Sequence, residues 1–255
     1  MKVLVLGESE SLGSQTGGVS WATVMRDRMA AELNAPVEFV HTTFIPTGER
    51  AAGIAARRVE EHKPDLVVVP VGIFPYLLGF VWLKVERLFG QRAGHWFQLL
   101  EETVNDTTYG KGTIRRRFNT GLRMVARAVI GTDSLTTREE SARVMVETFR
   151  ELAKAEDLEV AALPYGHGRG SPPGTRDETE RDLYYSEVRA AAGERHFLWI
   201  DTVADLAAYA KAHHLDQSDG VHGTVETHTF MGEAVAERLM EHAERLGLVA
   251  ARRGE

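Results

Sequence analysis

Three residue types that together can activate a hydroxyl stand far apart in this chain: Ser9 near one end, Asp219 and His222 near the other. A serine hydroxyl is a weak nucleophile until a base within hydrogen-bond reach takes its proton and a third group orients that base. Asp219-Gly220-Val221-His222 carries both partners. In a tight Gly-containing turn, a carboxylate at this spacing can accept from one imidazole nitrogen while the other nitrogen faces the serine. The order Ser, Asp, His is compatible with a triad, because triads are defined by geometry and not by order. The chemistry would be attack by Ser9, proton transfer by His222 and orientation by Asp219, through a covalent acyl intermediate.

Such a serine must be presented by something rigid. Val3-Leu4-Val5-Leu6 is an apolar run that stops at Gly7-Glu8-Ser9, which suits a strand buried on both faces and puts Ser9 at its carboxyl edge, where open α/β sheets hold their ligands. Gly13, Gly17 and Gly18 predict a loop-like segment until Ser20-Trp21 opens a helix to Leu33. Pro36 to Val40, Leu66 to Val71, Leu158 to Leu163 and His196 to Ile200 read as further strands. The intervening helices are Glu49 to His62, Thr136 to Ala155, Arg176 to Ala192 and Val203 to His213, with a last one from Val225 to Leu246. Strands alternating with helices predict a three-layer α/β sandwich with a flavodoxin-like, five-stranded parallel sheet.

The alternation breaks over about 74–133, an aromatic-rich, helical stretch expected to form a cap insertion over the sheet edge. Phe74, Trp82 and Phe89 are its candidate substrate-contacting rings. Within it, Ile114 to Val129 places Phe118, Leu122, Val125 and Val129 on one helical face and Arg116, Arg123 and Arg127 on another; the stripe predicts core packing and the arginines a solvated basic face, or a dock for an anionic acyl carrier. Pro164 to Gly174 is turn chemistry throughout, predicting a mobile loop that brings His167 and Arg169 to the same edge as Ser9.

Taken together, Gly7-Glu8-Ser9 after the first strand and Asp219-Gly220-Val221-His222 before the last helix resemble the SGNH (GDSL-type) hydrolases. Glu8 stands where that family has Asp, and the resemblance covers both ends of the chain without the insertion, so residues 1–255 are expected to form one such domain interrupted by a cap. The resemblance implies an esterase or acyl hydrolase that needs no cofactor, acting on a small-molecule or carrier-linked acyl ester or thioester. It also implies an oxyanion hole of the Ser9 backbone N–H, the Gly48 backbone N–H and an Asn side chain after the third strand. At the matching position Gly72-Ile73-Phe74-Pro75 puts phenylalanine in place of that Asn, and Asn105-Asp106 has the letters without a preceding strand. Two alternatives stay open: an acyltransferase using the same triad, and a catalytically weak acyl-binding protein.

Composition bounds these readings. A formal net charge of -7 argues against a nucleic-acid partner. No cysteine is present, which removes disulfides, thiolate nucleophiles and Cys-ligated metals and, with no signal-like apolar segment, fits a cytoplasmic protein. No apolar run approaches the roughly 18 residues of a membrane span. His213, His214, Asp216, Asp219, His222 and His228 do not fall in a dense metal-ligand motif, so no metal is expected. Gly7 to Gly18 lacks the Lys and the glycine spacing of a nucleotide-binding loop.

Overall fold

Val3 to Gly7 are all buried, which a strand allows only when both faces of its sheet are covered. The computed structural model describes residues 1–13, 16–33, 37–77, 80–108, 129–130, 133–165, 176–213, 215 and 223–245. The chain divides into two units, one of Met1–Ile73 with Arg138–Glu255 and the other of Phe74–Thr137.

The first unit holds five strands among the described residues: β1 (Lys2–Gly7), β2 (Glu38–Thr43), β3 (Leu66–Gly72), β4 (Glu159–Tyr165) and β5 (Leu198–Trp199). All pair in parallel, in the order β2-β1-β3-β4-β5, the flavodoxin-like order whose switch point lies between β1 and β3. Parallel pairing requires crossovers, supplied by α1 (Ser9–Leu12) with α2 (Trp21–Leu33), α3 (Ala51–His62), α7 (Arg138–Leu152) and α8 (Arg176–Gly193), while α9 (Val203–Ala212) and α10 (Val225–Arg245) follow β5. Alternate residues of a strand face opposite ways. Val3, Val5, Leu66, Val68, Ala161 and Leu163 share one core with Trp21, Met25 and Met29 of α2 and Val235, Leu239 and Met240 of α10. On the other face α3 packs on α7 and α7 on α8.

Boundaries differ from the sequence expectation where pairing partners or local bonds decide them. Ser9–Leu12 is a short helix and not loop, because the Glu8 carbonyl accepts the backbone N–H groups of Ser11 (3.1 Å) and Leu12 (3.2 Å). The chain leaves it at Gly13, whose φ of 64° favours glycine. β2 runs later than expected, to Thr43, since its span is set residue for residue by Lys2–Gly7 of β1. β4 continues through Pro164 and Tyr165, paired with Val71 and Gly72, so the turn-rich segment begins only after them; residues 166–175, with His167 and Arg169, lie outside the described residues. β5 starts later than expected, at Leu198, because His196 sits at φ 59°, outside the extended region, and the Phe197 N–H still donates to the Ala192 carbonyl at the end of α8 (3.1 Å).

Helix starts follow their caps. Ser20 and Thr23 bond reciprocally, Ser20 N–H to Thr23 Oγ1 (2.9 Å) and Thr23 N–H to Ser20 Oγ (3.1 Å), at the entry to α2. One more first-turn donor, the Trp21 N–H, is taken by Nδ1 of buried His228 on α10 at 3.3 Å.

The second unit contains α4 (Phe74–Leu77), α5 (Val81–Phe89) and α6 (Gln91–Thr108). Phe80 and Asp133 exchange both backbone hydrogen bonds, at 2.8 and 3.1 Å, and the Asp133 carboxylate meets Lys84 (3.5 Å) and Arg87 (3.2 Å). Val129, expected on a buried stripe, is 78% exposed. Phe118, Leu122, Val125, Arg116, Arg123 and Arg127 lie outside the described residues.

The α2–α10 contact has no spare room at Gly232, where a Cβ would stand 2.6 Å from both the Trp21 carbonyl oxygen and Val24 Cβ. Gly232→Ala should therefore lower the unfolding free energy by about 1–3 kcal/mol in a urea titration with unchanged slope. At Gly53 of α3 a Cβ meets nothing within 4 Å, and Gly53→Ala should raise stability by about 0.4–1 kcal/mol.

Candidate functional site

The site is built where β1 ends. Gly7 closes the strand, Glu8 follows, and Ser9 opens α1, so the backbone carries Ser9 to the carboxyl edge of the sheet beside the β1/β3 switch point. Beneath that turn is a contact between residues distant in sequence. Ser11 Oγ lies 2.6 Å from Nε2 of His41 on β2 and 2.6 Å from the Glu8 carbonyl oxygen. His41 reaches this position because it pairs with Val5, placing it on the inner face of β2 two residues after Phe39. Ser11 is only 2% exposed, so it is an interior hydroxyl and not an accessible nucleophile. Burial pushes the His41 pKa below its ordinary value of 6.5, because an imidazolium loses more hydration there than a neutral ring does.

Gly48 lies on the loop after β2, exposed, with φ at 73° and open space where a Cβ would stand. Glycine is needed there for backbone conformation and not for clearance. That loop is tied back to the site by the Phe44 N–H, which donates to the Gly7 carbonyl at 2.6 Å.

Asp219 and His222 lie outside the described residues, but the helices on either side of them are anchored. Tyr209 of α9 stacks on Phe230 of α10, with centroids 4.3 Å apart, and its other neighbour is the ring of His213 at 4.4 Å. Thr224 caps α10 through its Oγ1, which accepts the Thr227 N–H at 3.3 Å. With His228 accepting from Trp21, the start of α10 is held to the start of α2.

In the second unit, Phe74 opens α4, Trp82 of α5 packs against Phe80 with centroids 6.1 Å apart, and Phe89 at the end of α5 is 72% exposed. Asn105 and Asp106 fall inside α6. Among the described residues no group of three or more His, Cys, Asp or Glu is arranged to hold a metal ion, and no helix is long and apolar enough to cross a membrane. An open pocket of about 770 Å³ lies instead beside edge strand β5, against the C-terminal turns of α10. Arg238 pairs with Glu241 there at 3.2 Å, and its lining holds neither Ser nor His.

Sequence reasoning missed Ser11 and His41. The available signals were a second serine two residues after Ser9 and a histidine in phase with Phe39.

No family model matches the sequence, and no curated protein matches it. Solved structures do. The chain is similar to the acetylxylan esterase Axe2 of Geobacillus stearothermophilus, with 16% identity, a TM-score of 0.56 and 93% of each chain covered. It is also similar to the acetyl xylan esterase AlAXEase, with 15% identity, a TM-score of 0.54, and 95% of this chain and 99% of that one covered. At such identity the shared property is the fold. The catalytic mutants of Axe2 replace a serine, an aspartate and a histidine, the last two three positions apart.

The depressed His41 pKa carries a pH dependence. The unfolded chain protonates His41 near 6.5 while the native state resists protonation to lower pH. Between those values the unfolded state binds more protons, so native stability falls as pH drops through 6.5 and His41 adds no further loss below its native pKa. In urea titrations across this range, His41→Gln should show a smaller acid-side decline than wild type.

Proposed function

We propose that the protein is an SGNH-type serine hydrolase that cleaves an acyl ester through an acyl-enzyme on Ser9. The observation that carries this reading is Gly7-Glu8-Ser9 at the carboxyl edge of β1, in a chain that also has Asp219 and His222 at the spacing mutated in a catalytic context in a protein of the same fold. His222 takes the Ser9 proton as Oγ attacks the acyl carbon, and Asp219 orients the imidazole and stabilises its charged form. The backbone N–H groups of Ser9 and Gly48 receive the developing oxyanion. His222 then returns the proton to the leaving alcohol, and water, activated in the same way, releases the acid. Because the structural neighbours are esterases of acetylated xylan and acetyl-xylooligosaccharide, small acyl esters of a sugar or polyol are the first substrate class to test.

A fluorophosphonate should label the protein on Ser9, as mapped by peptide mass spectrometry. Ser9→Ala should abolish labelling, and His222→Ala should lower ester turnover by at least about 10²-fold, the scale of a general base. Asp219→Asn should be comparably severe. An adduct on Ser11, or turnover by His222→Ala above about a tenth of the wild-type rate, rejects the assignment.

Phe74 modifies the reading, since the family's third oxyanion donor is an Asn at that position. Absence of one donor costs about 10²- to 10³-fold in kcat without preventing activation of the serine. The wild type is therefore expected to label at Ser9 yet turn over p-nitrophenyl acetate slowly, and Phe74→Asn to raise that rate. As an apolar group, Phe74, with Trp82 and Phe89, is proposed to contact the acyl chain, and a dry acyl-enzyme would favour transfer to an added alcohol over hydrolysis. Rapid wild-type turnover with Phe74→Asn neutral or slower would count against this role.

A further inference from the structure

A hydroxyl has one proton to give, and Ser11 Oγ has two partners at 2.6 Å. The Glu8 carbonyl oxygen can only accept, so it takes the Ser11 proton. The contact with His41 is then a hydrogen bond only if Nε2 carries a proton and donates to Ser11 Oγ. This makes a directed relay, from His41 Nε2–H to Ser11 Oγ–H to the Glu8 carbonyl, and it assigns neutral His41 to the Nε2–H tautomer.

The end of the relay is the informative part. The Glu8 carbonyl belongs to the same planar trans peptide unit as the Ser9 N–H, and in such a unit the two point in opposite directions. Drawing the carbonyl inward with Ser11 Oγ and the backbone N–H groups of Ser11 and Leu12 aims the Ser9 N–H the other way. Gly7 completes the device, since a Cβ there would overlap Ser11 Oγ and stand 2.7 Å from His41 Nε2.

We propose that His41 and Ser11 are positioning residues that aim the Ser9 backbone N–H at the oxyanion of the acyl-transfer transition state. This rests on the reading of Ser9 as nucleophile. The relay touches no substrate, so it acts on kcat and leaves ground-state binding alone. Misaiming a donor costs less than deleting one: about 10- to 100-fold in kcat is expected, below the roughly 10²- to 10³-fold of outright loss.

The test uses the full chain with Ser11→Ala, His41→Leu, His41→Gln and the double variant Ser11→Ala/His41→Leu. Thermal melts establish that each is folded at the assay temperature. Ser11→Ala and His41→Leu should each lower kcat for p-nitrophenyl acetate and the rate of fluorophosphonate reaction at Ser9, with KM within about twofold. His41→Gln, whose amide can donate from the same place, should recover most of the loss, and the double variant should be no worse than the poorer single one, as for members of one network. Histidine-resolved proton–nitrogen NMR of the wild type should find the proton of neutral His41 on Nε2. Unchanged kcat in folded Ser11→Ala, or His41→Gln as impaired as His41→Leu, overturns the positioning role. A proton on Nδ1 overturns the relay itself. If wild-type Ser9 fails to react, the functional reading falls and the catalytic half of this proposal with it, while the tautomer still decides the hydrogen-bond half.

Discussion

At the end of β1, a backbone, a hydroxyl and an imidazole need the same small volume, and glycine is the residue that lets them share it. Without a side chain at Gly7, Ser11 Oγ can sit against the strand end and reach both the Glu8 carbonyl and His41. Burying that hydroxyl unpaired would cost about 1–3 kcal/mol, which is more than a typical exposed ion pair such as Arg58 with Glu61 contributes, at about 0–1 kcal/mol. The turn that carries Ser9 is thus held from within, by a polar contact the apolar core cannot replace.

The sheet order places this local arrangement at the switch point of the sheet. β1 lies between β2 and β3, so its end faces the switch point, with the residues after β2 on one side. His41 comes from β2 itself and Gly48 from the loop that follows it, and the Phe44 N–H bond to Gly7 keeps that loop against the end of β1. From the other end of the chain, α10 packs on α2, held by His228 on the Trp21 N–H and by the clearance at Gly232. A sequence separation of 207 residues is bridged by one buried imidazole. This return of the last helix to the first is what makes a triad from the two chain ends physically reasonable, since α10 begins directly after the segment containing Asp219 and His222.

The fold is shared with acetylxylan esterases at 15–16% identity, so it is preserved by pattern and packing rather than by particular residues. The separate helical unit that Phe74 opens interrupts the alternation of strands and helices.

The sheet was largely legible in the sequence because strands buried on both faces are written as uninterrupted apolar runs, Val3 to Leu6 and Leu66 to Val71 among them, and helices between them leave parallel pairing as the available topology. The position of Gly7-Glu8-Ser9 at the end of β1 was also legible, since an apolar run that stops at glycine marks where the strand ends; Asp219 and His222 lie outside the described residues. Tertiary structure alone decided the rest. The length of β2 is set by its partner β1, and the positive φ of His196 keeps β5 from starting there. Ser11 and His41, thirty residues apart, carry no mark of each other in the sequence. They meet because parallel pairing puts His41 beside Val5 while a turn without a Cβ folds Ser11 back under the same strand, and a contact made by two elements through a third exists only once all three are assembled.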